Sequence, residues 1–196
     1  LADVQRDALD VVVNELKRTG GVVISDVVDV AQAAQVQRFA EHAFSAFGHV
    51  HLLINNAGVG GGGYLWENTA RDWQWVMGVN LMGVVHGVQH FVPRMLEANK
   101  RGEPGHIVNT ASIAGWLAAP LMGVYNVSKH AVVALSETLY HDLRLAESTI
   151  GVSVLCPSFV PTGIAQSQRY RPAELLNADE LTASQRIAQV ATEKAV

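Results

Sequence analysis

The sequence predicts an α/β fold built on a doubly wound parallel sheet, incomplete at both ends. Three observations carry that expectation. Short apolar runs alternate with longer segments whose apolar residues recur at helical spacing, the pattern of βαβ units with helices over both sheet faces. The 196 residues suit one domain, 1–196, and contain no repeat, linker or low-complexity tract. The chain also opens on Leu1-Ala2-Asp3, which reads as the end of a strand, and residues 191–196 stop inside a helical pattern without a cap. This chain is therefore expected to be a piece of a longer protein.

Each element follows from its spacing. Leu9, Val12, Val13 and Leu16 define a helix over 7–19, closed by Gly20-Gly21. Val22–Ser25 is a short apolar strand, and 31–47 is a second helix ending at Gly48. His51–Ile54 predicts a strand, followed by the glycine run 58–63. Val76, Val79, Gly83, Val84, Gly87 and Val88 keep one helical period over 69–96. His106–Thr110 and Val152–Leu155 are strands flanking a helix over 123–146. Beyond Pro157 the chain turns polar, and 161–196 is expected to form a helical lid over a substrate.

Composition excludes several function classes. The 14 basic and 18 acidic residues leave a net charge of −4, against the clustered Lys and Arg of a nucleic-acid or anionic-membrane surface. No apolar run reaches membrane-spanning length and no signal peptide is recognisable. Cys156 is the single cysteine, which excludes an internal disulfide and suits a reducing compartment. The expected location is cytoplasmic.

In an open parallel sheet, ligands bind beyond the carboxyl ends of the strands. Polar residues stand at three such ends: Asn55-Asn56-Ala57-Gly58, Thr110-Ala111-Ser112 and Cys156-Pro157-Ser158. Tyr125 and Lys129 follow at i and i+4, one turn apart on one helix face. A strand-end hydroxyl beside such a pair is a proton-transfer site in outline. Tyrosine is a poor base near neutrality because its pKa is near 10, and shifting it usefully takes roughly 3–4 kcal/mol of differential interaction. A neighbouring ammonium is expected to lower it.

These residues resemble the short-chain dehydrogenase/reductase family over nearly the whole chain. Asn55-Asn56-Ala57-Gly58 is similar to its NNAG motif, Tyr125–Lys129 to its YxxxK motif, and Val79-Asn80-Leu81 to the segment carrying its helix asparagine. The resemblance implies a Rossmann-like fold and hydride transfer between NAD and a secondary alcohol or ketone. It makes Tyr125 the acid/base, has Lys129 lower the tyrosine's pKa and hold the nicotinamide ribose, and has Ser112 orient the substrate. Asn80 would anchor a water through its backbone carbonyl. The cofactor would lie against Asp3, Asp26, Val27, Asn55, Ala57, Gly58, Tyr125, Lys129, Pro157, Val160 and Thr162. Asp3 at a strand end would bind the adenosine ribose and repel an added phosphate, which favours NAD over NADP, although nearby Arg6 softens that preference. Ser158 stands where the family usually has glycine.

The family's first strand, its pyrophosphate-cradling turn and the following helix have no match here. Gly58–Gly63 satisfies GxGxxG, but the acidic strand end that should follow about 20 residues later is missing. It is read as a flexible loop beside the substrate cleft. Tyr64, Trp66, Trp116, Leu117, Leu121 and Met122 favour a partly apolar small-molecule substrate. By analogy with the family, the helices over 69–96 and 123–146 would pair subunits into a homodimer or homotetramer. The alternative is a non-catalytic scaffold or binding relative lacking the phosphate loop. An α/β-hydrolase would require GxSxG, which Ser112 lacks. No metal is assigned: His86/His90 and His49/His51 are read as ordinary surface or core histidines.

Overall fold

A computed structural model describes residues 1–178 and 180–195. The elements run β1 (Ala2–Asp3), α1 (Arg6–Arg18), β2 (Asp26–Val27), α2 (Ala33–Phe47), β3 (Leu52–Asn55), α3 (Ala70–Met77), α4 (Gly83–Asn99), β4 (His106–Thr110), α5 (Gly123–Leu145), β5 (Gly151–Leu155) and α6 (Ala183–Ala195). Three 3-10 turns lie at Ile113–Gly115, Gly163–Tyr170 and Ala173–Leu175.

All strand pairs are parallel, as the alternating pattern requires. They form two pieces, β1-β2 and β3-β4-β5, rather than one continuous sheet. The register sets Asn55 beside Asn109 and Thr110 beside Leu155, so the carboxyl ends of β3, β4 and β5 lie level. The strand expected at Val22–Ser25 is assigned instead at Asp26–Val27. Only the short β1 is available to pair, and the bonds from Asp26 N to Leu1 O (3.1 Å) and Val28 N to Asp3 O (3.0 Å) place the ladder there.

The general right-handedness of crossovers between parallel strands of one sheet would carry α4 and α5 to the same face of β3-β4-β5. There Leu53 and Ile107 pack under Val36, Ala40 and Phe44 of α2 and Phe91 and Met95 of α4. The Phe91 ring sits 5.9 Å from Phe39 and 5.8 Å from Phe44, within ordinary aromatic packing distance. Strand side chains alternate between faces, so Leu52 (53%), Ile54 (55%) and Leu155 (53%) lie exposed on the opposite side. The remaining helix of the amino-terminal half, α1, packs by β1.

The helix expected over 69–96 is found as a continuous helical course from Ala70 to Asn99, with a change of winding inside it. Thr69 and Asp72 form a reciprocal capping box that starts α3, and a π-helical turn at Gly78–Met82 joins it to α4. Within α5 the buried residues Val124, Tyr125, Ser128, Lys129, Val132, Val133 and Ser136 form one helical stripe. The packing that buries Val132 thus fixes the orientation of Tyr125 and Lys129. Among the described residues no helix is long and apolar enough to cross a membrane.

Candidate active site

The carboxyl ends of β3, β4 and β5 open into a cleft of about 1910 Å³. That exceeds the roughly 1,000 Å³ upper range of ordinary small-molecule sites. Leu1–Val4 and Leu52–Asn55 also belong to the lining of this cleft.

Ser112, Tyr125 and Lys129 converge here, although they come from a strand end and from two turns of α5. Ser112 has extended backbone, and its hydroxyl accepts from Ala114 N at 3.1 Å, capping the 3-10 turn that reverses the chain. Tyr125 is buried. Burial pushes its phenol above the ordinary value, and a hydrogen bond with Ser112 pulls partly the other way. The Lys129 ammonium stands 5.6 Å from the ring centroid.

Lys129 is 3% exposed. Burial lowers it to about 8, with nearby Cys156 opposing the change. Its Nζ donates to Thr110 O at 2.9 Å. An ammonium has three donors, so two remain for groups in the cleft.

Asn80 owes its position to the π turn. Its side chain accepts from Val59 N at 2.8 Å and donates to Val59 O and Ser128 Oγ, both at 3.0 Å. The side chain is therefore fully employed in pinning the loop after β3. A Cβ on Gly58 would lie 3.5 Å from Lys129 Nζ and 3.6 Å from Asn80 Oδ1, so these three residues meet at one point.

The cofactor residues expected from sequence divide into two sets. Asp3, Asn55, Ala57, Gly58, Pro157, Val160 and Thr162 line the cleft. Asn55 does so while its side chain donates to Asn109 Oδ1 at 2.8 Å. Asp26 and Val27 are not brought to the same wall: Asp26 Oδ2 lies 2.7 Å from His42 Nδ1, and Val28, Asp29 and Val30 form the lining. Of the apolar residues expected around a substrate, Leu117 and Met122 line the cleft. Tyr64 and Trp66 stack 4.7 Å apart elsewhere, and Trp116 Nε1 donates to Cys156 Sγ at 3.2 Å.

The glycine run 58–63 is a packed track rather than a flexible loop. Gly60 N donates to Ser167 Oγ at 2.9 Å. A Cβ on Gly61 would meet Val76 at 2.9 Å and one on Gly62 would meet Ala188 at 2.5 Å. Gly63, with φ +104°, donates its N–H to Leu121 O at 2.8 Å. Small residues are needed because the 163–170 turns and α6 press on this backbone.

Sequence reasoning missed two buried networks. Asn109, fully buried, donates to Ser136 Oγ at 3.0 Å and accepts from Asn55, tying β3, β4 and α5 together behind the site. A polar residue inside the apolar run His106–Thr110 was the available signal. The second joins Arg171 to Asp72 at 2.7 Å, with Asn177 donating to the same carboxylate oxygen at 3.0 Å. No local spacing announces a pair 99 residues apart.

Comparison with known proteins agrees with this architecture. The sequence model of the short chain dehydrogenase family matches residues 1–173. The chain belongs to that family. A short-chain dehydrogenase/reductase from Burkholderia phymatum, solved in complex with NAD, superposes over 100% of this chain and 68% of its own, with TM-score 0.96 and 56% identity. An alcohol dehydrogenase from Thermococcus sibiricus, complexed with 5-hydroxy-NADP, is 25% identical with TM-score 0.76, over 84% of this chain and 66% of its own. A CLA biosynthesis dehydrogenase/reductase from Lactiplantibacillus plantarum is 36% identical over 89% of this chain and 60% of its length. The chain spans about 60% of the length of such curated relatives. As a short-chain dehydrogenase family member it has the Rossmann-like doubly wound fold, here with its sheet in two pieces.

Proposed function

We propose that this protein is an NAD-dependent oxidoreductase acting on a secondary alcohol or ketone. The observation that carries the reading is the convergence of Ser112, Tyr125 and Lys129 on one cleft at the strand ends. NAD, when bound, would supply the hydride acceptor.

The chain's own residues supply binding and proton transfer. Ser112 would hold the substrate oxygen, and Tyr125 would exchange a proton with it. Because burial keeps the phenol protonated, the resting protein is set to donate to a carbonyl; the reverse reaction needs the phenolate. Lys129 fits a ribose: it is a buried cation with two donors beyond Thr110 O, set beside Gly58, where a bare backbone allows close approach. Asp3, in the cleft at the end of β1, supports NAD over NADP, since a carboxylate disfavours a second phosphate nearby. Within 161–196, Thr162–Ala165, Ser167–Tyr170, Leu175 and Leu181 are among the residues that line the cleft, which suits a lid. A homo-oligomer whose interface includes α5 is consistent with exposed Val127 and Tyr140 on that helix.

Fluorescence titration with NADH and NADPH tests the reading. Saturable binding should favour NADH in the parent, and Asp3→Ala should narrow the preference. One observation favours the scaffold reading: among the described residues the glycine run is committed to packing, not to a phosphate. Failure to bind either nucleotide would support that alternative.

A further inference from the structure

At the opposite, amino-terminal end of the sheet, three potential metal ligands meet. His49 and His51 precede β3, two residues apart and so on one side of an extended segment. Sequence spacing assigns them no third ligand. The fold supplies one, 52 residues beyond His51: Glu103, in the turn before β4. His51 Nε2 is 3.2 Å and His49 Nε2 3.9 Å from Glu103 Oε2. All three donor atoms lie within 4.8 Å of one another. Ligand atoms around tetrahedral zinc sit about 3.3 Å apart, given bonds of roughly 2.0–2.2 Å. Small side-chain rotations close the remaining distance.

The backbone beneath this cluster is already held. His51 O accepts from His106 N at 2.7 Å. Glu103 N donates to Ala98 O at 3.2 Å, and Asn99 Nδ2 donates to Glu103 O at 2.9 Å. Asn99 is itself anchored by Ser148 and Thr149. The two imidazoles already stand edge-on, 4.2 Å apart at 76°, as two rings converging on one point would. Two imidazoles and one carboxylate make a donor set that suits zinc and similar first-row cations.

We propose that His49, His51 and Glu103 bind one divalent transition-metal ion, zinc in the first instance, leaving an outward position for water. The four residue steps of β4 from His106 to Thr110 span about 13 Å, so the ion would lie well away from Tyr125. It would clamp the loop entering β3 to the loop entering β4, and its role would be structural.

Calorimetric titration of tag-free protein with zinc should show one saturable equivalent. His51→Asn and Glu103→Gln should each weaken binding at least tenfold, whereas His141→Asn, an exposed histidine outside the cluster, should not. Cobalt provides a readout that needs no variant: the parent should show the intense visible bands of four-coordinate Co²⁺. The proposal is overturned by a weak octahedral cobalt spectrum, by the absence of a saturable equivalent, or by undiminished binding in Glu103→Gln, which would reduce the histidines to an adventitious pair.

Discussion

Lys129 Nζ donates to the carbonyl oxygen of Thr110 at 2.9 Å, joining the first turns of α5 to the last residue of β4. This bond holds a charge where charge is costly. Burial lowers Lys129 to about 8, against a free value near 10.4. Below pH 8 both folded and unfolded states carry the proton, so the folded state bears the full penalty. As pH rises from about 8 to 10.4 the folded state loses its proton first and that penalty is relieved. Lys129→Met should therefore abolish activity yet stabilise the protein at pH 7. The gain is about 2 kcal/mol, being roughly 3 from removing the buried charge less about 1 for the lost hydrogen bond. Melting curves from pH 7 to 10.5 should show the variant's advantage shrinking.

Tyr125 titrates above the ordinary phenol range because it is buried. Its proton is in place across the neutral range, so carbonyl reduction should be nearly flat in rate from pH 6 to 9. Alcohol oxidation, which consumes the phenolate, should accelerate with pH over the same interval. Tyr125→Phe should lower kcat roughly 10²–10⁴-fold in both directions. Retention of most activity by the phenylalanine variant would remove Tyr125 from the proton-transfer role.

The Arg171–Asp72 pair fastens the 163–177 segment to α3 and is nearly inaccessible to solvent. Burial alone would raise the Asp72 carboxyl, but hydrogen bonds from Thr69, Arg171 and Asn177 prevail and hold it below the usual range. Arg171→Met strands a buried carboxylate and should cost about 3 kcal/mol, or roughly 6–12 °C in Tm. A depressed carboxyl contributes stability above its unfolded value near 3.9 and loses it as pH falls through the folded one. The gap between parent and variant should hold at neutral pH and narrow below about pH 4.

Glycines 62 and 87 are spacing elements. A Cβ on Gly87 would stand 2.1 Å from Asn55 Oδ1 and displace that side chain from Asn109. Gly87→Ala should cost on the order of 2 kcal/mol by overpacking, measurable by urea denaturation. Gly62→Val should push Ala188 and α6 outward, and limited proteolysis should then cleave the 171–182 segment faster while the strands stay protected.

Much of the site was legible locally because its chemistry lies in short windows. Tyr125 and Lys129 share a helix stripe whose spacing is visible without a structure, and Ser112 and Asn55 mark strand ends that apolar runs reveal. The α/β class followed from alternating periods, since each period reflects which side chains one local backbone geometry can bury. Non-local balances had to wait for the tertiary structure. Whether burial or the neighbouring ammonium governs Tyr125 depends on desolvation by residues distant in sequence. The π turn that aims Asn80 is favoured by its bonds to Val59 and Ser128, which no helical period records. The Gly58–Gly63 run reads as a loop until Val76, Val124 and Ala188 are packed on it, and Glu103 joins His49 and His51 only once β3 and β4 have paired. Local patterning thus determined which residues could perform chemistry; the three-dimensional packing decided their protonation, their partners and the space they share.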